Sequence, residues 1–307
     1  MNIESRQLVT SLLENLQASK ETVMAVVDKE ERALSLKVIF KETSVDRNPQ
    51  LVANLATFYN FCVDNMGYEA DDLIREIQSG IDTEFDKKLL EREAQDGFDA
   101  KYGTETGTVI EKFEVPEAIS EKRWLHSARY VGSPIRSVKL ALNIIGELGV
   151  VCQEYSFVDV GCGLGRNLLL ATDYPFQIIV GIEISAYMAK IAESNITKYI
   201  AVTGVTRRPE VRCGDALTAD LPAGDLVLYF WEPFSPEVGA QFIELLLTRL
   251  ERSGSKCLLI FLGTVFPVVL NNTAFVLIHE GHTEDIKDHT ENFKLSVFDY
   301  FGLSLKK

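Results

Sequence analysis

Metal and disulfide chemistry have little to draw on in this chain. Its five cysteines, Cys62, Cys152, Cys162, Cys213 and Cys257, lie far apart with no C-x-x-C pair, which excludes a zinc ribbon and a disulfide framework and fits a reducing compartment. Of the four histidines, three fall late, at His279, His282 and His289. His279-Glu-Gly-His282 closes one residue short of the H-E-x-x-H spacing, so no metal is expected there. Positive charge is scarce as well. Thirty-one Lys and Arg against 45 Asp and Glu leave a net charge of −14, which repels phosphate backbones and disfavours nucleic acid as a partner. The short basic runs at Lys122-Arg123, Arg136 with Lys139, and Arg207-Arg208 read as solvated faces. Long apolar runs are missing too: the greasiest, residues 257–270, is broken by Gly263, Thr264 and Pro267 and falls short of the roughly 20 residues that cross a bilayer. The first residues bring an acid, Glu4, and no apolar core, so no secretory leader and no membrane partner are expected, and a cytoplasmic location is.

What remains is an ordinary globular composition, 46% hydrophobic and 25% charged, over 307 residues. The chain divides by texture. Residues 1–97 carry helical spacing, as in Leu8, Leu12, Leu13 and Leu16, then Val23, Val26 and Val27, then Leu51, Leu55, Tyr59 and Cys62. They predict an α-helical N-terminal region, with residues 71–77 helical and residues 84–93 forming an exposed helix face. Residues 98–150 read as a connection: an ordered polar loop at 98–107, then Trp124, His126 and Tyr130. Ser133 there is set as N-cap and Pro134 as first residue of a helix running past Val138, Leu142 and Ile145 to Gly149. Residues 151–307 alternate strand and helix, as a mostly parallel α/β sheet should.

The centre of that last region is Phe157-Val-Asp-Val-Gly-Cys-Gly-Leu-Gly-Arg166. A buried strand ends at Val160, glycines at 161, 163 and 165 make a tight turn, and a leucine run follows as a helix, whose N-terminal amides suit a polar ligand. A dinucleotide fold wants G-x-G-x-x-G, but the third position here is Arg166, which weakens a nicotinamide reading. Further strands are expected at 177–183, from 211, at 225–230, at 256–262, at 275–279 and at 295–300. Ser185 caps a helix with Met188, Ile191 and Ala192, and Ser235-Pro236 caps another with Phe242, Leu245, Leu246 and Leu250 inside and Gly254 at its end. Asp159, Glu183 and Asp215 all fall at the carboxyl edge of successive strands, where an open α/β sheet binds ligands.

With Asp159 two residues before the first glycine, this run resembles motif I of the class I S-adenosylmethionine-dependent methyltransferases. The resemblance covers residues 125–262 and implies a Rossmann-like seven-stranded sheet with an antiparallel strand near the C-terminus. It further implies that Asp159, Gly161, Cys162, Gly163 and Gly165 wrap the amino-acid end of S-adenosyl-L-methionine, that Glu183 takes the ribose hydroxyls and that Asp215 lies beside the adenine amino group. Tyr130 and Ser133, in a segment that folds over the cofactor in many such enzymes, are expected at the methionine end. The chain is most similar to a bacterial subfamily with a Tyr-Gly-x-x-Thr loop, a Ser-Pro lid helix and an aromatic-Asn-Pro-Phe motif after the fourth strand. Here that motif is Trp231-Glu232-Pro233-Phe234, with glutamate in place of the amide. The resemblance makes these four the catalytic or acceptor-facing residues: Glu232 would accept hydrogen bonds from an amine, the rigid Pro233 would fix the loop, and Trp231 and Phe234 would wall the site. The expected acceptor is a small molecule or a protein. The competing reading is a cofactor-binding scaffold or sensor that has lost catalysis and works through its N-terminal helices.

Overall fold

In the computed structural model, residues 9, 11, 14–16, 18, 84–111, 114–115, 129–283 and 293–301 are described. The chain forms two compact units, one of Met1–Gln95 with Thr108–Trp124 and one of Asp96–Gly107 with Leu125–Lys307. In the first, the described residues among 9–18 are helical, with Val9 and Leu16 buried, and a helix α1 spans Glu84–Asp96. On α1 Lys88 and Glu91 are exposed, but Leu89 and Arg92 turn inward, Arg92 pairing with Glu93 at 3.1 Å, so the exposed charged face expected over residues 84–93 is broken where that pair is buried. The predicted helical runs between residues 23 and 77, and Trp124, His126 and His289, lie outside the described residues.

The second unit is built on a seven-stranded sheet of β1 (Tyr155–Val160), β2 (Ile179–Glu183), β3 (Glu210–Cys213), β4 (Asp225–Phe230), β5 (Cys257–Leu262), β6 (Phe275–His282) and β7 (Lys294–Tyr300). Its order is β3-β2-β1-β4-β5-β7-β6. Neighbours from β3 to β5 are parallel, and β7 runs antiparallel to both β5 and β6. β1, β2 and β5 are buried along their whole length, as continuous apolar runs covered on both faces must be. The edge strand β3 is short, with Glu210 and Arg212 bonded along it at 2.9 Å, a charged edge that resists further pairing.

One face packs on helices α3 (Ile135–Glu147) and α4 (Arg166–Ala171), through Val138, Leu142, Leu168, Phe157 and Tyr229. The other packs on α6 (Pro236–Ser253) and α7 (Pro267–Leu270), through Val158, Phe230, Phe242, Leu246 and Phe261. Helix α5 (Ala186–Thr203) starts at Ser185, whose side chain accepts from the Met188 amide at 3.1 Å, as its sequence predicts.

Four expectations are corrected. Residues 98–107 begin with a short helix α2, Phe98–Tyr102, because Phe98 and Tyr102 stack into a trio with Tyr199 that favours a helical turn over a loop. The cap of α3 is Pro134 and not Ser133, since the Ser133 carbonyl is taken by Arg166 while that of Pro134 accepts from Val138. The helix ends at Glu147, and Gly149 turns the chain beyond it. Leu245 is exposed, not inside, because it sits on the solvent side of α6 while Phe242, Leu246 and Leu250 face the sheet.

Gly181 in β2 marks the tightest strand-to-loop packing. A Cβ there would meet Cys162 Sγ at 2.5 Å and Leu168 Cδ1 at 2.7 Å. Gly181→Ala should lower the melting temperature, with a loss of about 1–3 kcal/mol from overpacking, in a thermal unfolding scan.

Candidate functional site

Strands β1, β2 and β4 end side by side, and the residues just past them converge. The glycine loop 161–165 leaves β1 and enters α4 at Gly165. Its shape is fixed from beneath by Glu183 at the end of β2. That carboxylate is buried and accepts from the Gly163 amide at 2.9 Å through Oε2 and from the Ser185 amide at 2.8 Å through Oε1. Burial pushes its carboxyl above the usual range, opposed by the Ser185, Gly163 and Ile184 amides. Each oxygen keeps a second lone pair for a ligand hydroxyl.

Asp159 is the opposite case. It too is buried, but its Oδ2 has no hydrogen-bond partner among the described residues, and neither do Asn167 Oδ1 and the Tyr229 hydroxyl near it. Burial pushes its carboxyl up to about 7, moderated by a bond from Asn167 and reinforced by the charge of Glu183. Burial likewise raises Tyr229, with the Asp159 charge adding to it. Unpaired polar atoms in a protein interior are costly, and a cluster of them beside a glycine loop marks a place built for a polar partner.

Two aromatic or rigid side chains close over the loop. Gly163 has φ 52, and a Cβ on it would lie 2.3 Å from the Tyr130 ring, so only glycine admits this contact. The Tyr130 hydroxyl donates to the Thr106 carbonyl at 2.7 Å. At Gly161 a Cβ would lie 2.6 Å from Pro233 Cβ, which brings the segment after β4 onto the first glycine. Glu232, just before that proline, is exposed and has φ 46, the sole positive value of a non-glycine among the described residues. Its Oε1 accepts from the Thr264 amide at 3.1 Å and from the Thr264 hydroxyl at 2.8 Å, tying the end of β4 to the loop after β5.

The other predicted residues are placed less centrally. The Cys162 side chain turns down against Gly181, buried, and burial lifts its thiol well above the usual value, so only its backbone faces the loop. Ser133 contributes its carbonyl to Arg166. Asp215 accepts from the Leu217 amide at 2.9 Å, as a turn aspartate does, and lines a groove of 660 Å³ along β3 with Cys213, Arg212 and Leu221. Trp231 meets Phe293 edge to face at 5.5 Å, and Phe234 stacks on Phe266 at 5.5 Å, which anchors both ends of the motif in the core.

Residues the sequence analysis did not single out complete the site: Arg166 as a structural partner, Asp99, Thr106, Asn195, Asn167, Tyr229 and Thr264. Asn195 is fully buried on α5, donates to the Leu164 carbonyl at 3.0 Å and accepts from the Glu105 amide at 2.9 Å. A lone asparagine amid Ala192, Ile196 and Tyr199 on one helix face was the available signal.

A glycine loop over two buried acids, at the carboxyl ends of a sheet ordered β3-β2-β1-β4-β5-β7-β6 with β7 reversed, is the arrangement of a class I S-adenosylmethionine-dependent methyltransferase. Residues 158–231 match the model of a methyltransferase domain family. No curated protein matches the chain at a significant level. Among solved structures the chain is similar to an RNA methyltransferase from Salinibacter ruber in complex with S-adenosyl-L-homocysteine, at 20% identity over 55% of this chain and 92% of that one, with a TM-score of 0.37. It is also similar to magnesium protoporphyrin IX methyltransferase from Synechocystis with bound cofactor, at 13% identity over 71% of this chain and 98% of that one, with a TM-score of 0.41. An rRNA methylase from Streptococcus thermophilus gives 13% identity, 53% and 96% coverage and a TM-score of 0.39. The residues present fit the cofactor: Asp159 Oδ2 is unpartnered, Glu183 keeps acceptor capacity, and the glycine backbone admits close approach.

The buried Asp159 sets a pH dependence. Its folded value, about 7, lies above the ordinary 3.8, so the folded state binds the proton more tightly and loses stability as pH rises between the two. Asp159→Asn removes this cost. Its melting temperature should gain on the parent's from about pH 4 to about pH 7 and hold a constant lead above that, in scans of the ligand-free protein.

Proposed function

We propose that the protein is an S-adenosylmethionine-dependent methyltransferase acting on an amine nitrogen of a small molecule or protein, with Glu232 orienting the acceptor. The observation that carries this is the backbone of Glu232. A non-glycine residue in the left-handed region costs on the order of 1–3 kcal/mol and persists where surrounding contacts enforce it. Here Pro233 against Gly161 and Thr264 on Oε1 do so, and the strain holds Glu232 at the end of β4 with its carboxylate on Thr264 and its neighbour Pro233 on the first glycine of the loop. Oε2 makes no bond among the described residues and is open to an N–H donor.

When bound, the cofactor supplies a methyl group already activated on a sulfonium. What the chain does is position. Asp159, with Asn167 and Tyr229 beside it, receives the ammonium end, whose charge neutralises the buried carboxylate. The backbone of Gly161, Cys162, Gly163 and Gly165 lies along the amino-acid portion, Glu183 accepts the ribose hydroxyls, Asp215 borders the adenine end, and Tyr130 and Ser133 close the methionine end. Glu232 holds the acceptor N–H bonds so that the nitrogen lone pair faces the glycine loop, Trp231 and Phe234 brace the segment, and Pro233 sets its distance from Gly161. Orientation of this kind supplies much of the rate of a displacement reaction. An acidic chain with a carboxylate at the acceptor position favours a cationic or amine substrate over a phosphate-bearing one.

Calorimetry should show saturable binding of S-adenosylmethionine and S-adenosylhomocysteine and none of NAD. In the same assay Glu183→Ala should lose about 2–4 kcal/mol, roughly 30-fold or more in dissociation constant, because two charge-assisted bonds go. An unchanged constant would remove Glu183 from the ribose site.

Glu232→Ala should leave cofactor affinity within about twofold of the parent and lower turnover at least about tenfold, since its contact is with the acceptor. Glu232→Gln should keep part of the activity through its carbonyl oxygen. Normal turnover by Glu232→Ala, or a methyl group found on oxygen, sulfur or carbon by mass spectrometry of the product, would defeat the amine assignment.

A further inference from the structure

Arg166 occupies the first turn of α4 with its side chain about 1% exposed, in a helix whose other residues are uncharged. A buried guanidinium is tolerated only where its donors and its charge are matched. Among the groups that match them are three from two stretches of chain, residues 99–106 and Ser133. Nε donates to the Thr106 hydroxyl at 2.8 Å, Nη1 donates to the Ser133 carbonyl at 3.0 Å, and Nη2 lies 3.9 Å from Asp99 Oδ2. Its plane also sits 5.8 Å from the Phe98 ring.

Asp99 is itself a hub. Its oxygens accept from the Thr104 hydroxyl at 2.6 Å, the Thr106 amide at 2.7 Å, the Thr106 hydroxyl at 2.8 Å and the Gly107 amide at 2.6 Å. Asn195 holds the same loop from the other side through the Glu105 amide and carbonyl, at 2.9 and 3.3 Å. Residues 104–107 are therefore fixed to the same helices that frame the glycine loop. From this stretch the Thr106 carbonyl anchors the Tyr130 hydroxyl and so presses that ring on Gly163. Gly132 seals the join: a Cβ on it would lie 2.5 Å from the Thr106 carbonyl and 3.2 Å from the Arg166 guanidinium.

We propose that Arg166 is a positioning residue that, through Thr106 and Ser133, holds the Tyr130 ring closed on the glycine loop and thereby sets how fast the cofactor leaves. This rests on the cofactor reading above. Closure is built into the ligand-free fold, so the ring gates entry as well as exit, and with the bonds to the ligand intact a looser ring speeds both. Only a planar, forked cation reaches all three partners; lysine keeps the charge but has one point of contact. Tyr130 is the far end of the same chain of bonds, so removing its hydroxyl and altering Arg166 break one device twice.

The test is stopped-flow binding and release of S-adenosylhomocysteine by the full chain. Tyr130→Phe, which removes one oxygen, should raise the dissociation rate about threefold or more, and Arg166→Lys about tenfold, with association rates rising in step so that the dissociation constant stays within about threefold of the parent's. The double variant should release no faster than Arg166→Lys alone, because the two changes are coupled. Multiplicative effects in the double variant, or a parent-like off-rate in Arg166→Lys, would overturn the proposal. Should Arg166→Lys fail to fold, Tyr130→Phe decides by itself: a parent-like off-rate overturns it. A parent protein that does not bind S-adenosylhomocysteine would instead strike down the cofactor reading, and this inference with it.

Discussion

Two carboxyl groups buried beneath one glycine loop are the constraint from which the rest of the site follows. Glu183 accepts from the amides of Gly163 and Ser185, one at each oxygen, and in taking them it fixes both the turn after β1 and the start of α5. Asp159, one strand away, is left with an unsatisfied oxygen. Burial costs both of them, and backbone amides offset it at each oxygen of Glu183, whereas Asp159 has only Asn167 beside it and keeps one oxygen unpartnered.

The loops around these acids are tied to one another more than to solvent. Pro233 rests on Gly161, Tyr130 on Gly163, and Thr264 grips Glu232. The first and last of these ties join the end of one strand to the loop after another, and the second brings in the segment before α3, so the geometry above the sheet is shared among β1, β4, β5 and that segment. Side chains placed by several elements at once hold their positions better than those on a single loop, which suits a reaction that depends on alignment.

Strand and helix positions were largely legible in the sequence, because continuous apolar runs such as residues 257–262 and caps such as Ser185 are local signals. So was the line of acids at the strand ends. The cap of α3 was misplaced by one residue because the Ser133 carbonyl is claimed by Arg166, thirty-three positions away, and no local rule contains such a bond. Residues 98–107 read as a loop because their turn residues are polar, whereas an aromatic trio with Tyr199 winds the first five into a helix. Arg166 was visible only as an interruption of the glycine spacing. Its partners Thr106 and Asp99 lie sixty or more residues upstream, and their convergence is a product of the fold.

The strand that fills the gap between β5 and β6 is the last of the seven in sequence. During synthesis β1 to β5 emerge in turn, and β5, apolar along its whole length, lacks its native partner on one edge until residues 294–300 appear. β6 cannot cover that edge, since its only partner in the sheet is β7. The nascent chain thus carries a bare greasy edge for as long as it takes to make some thirty further residues, the interval in which a chaperone has most to do and in which strand pairing between neighbouring nascent chains is the chief hazard.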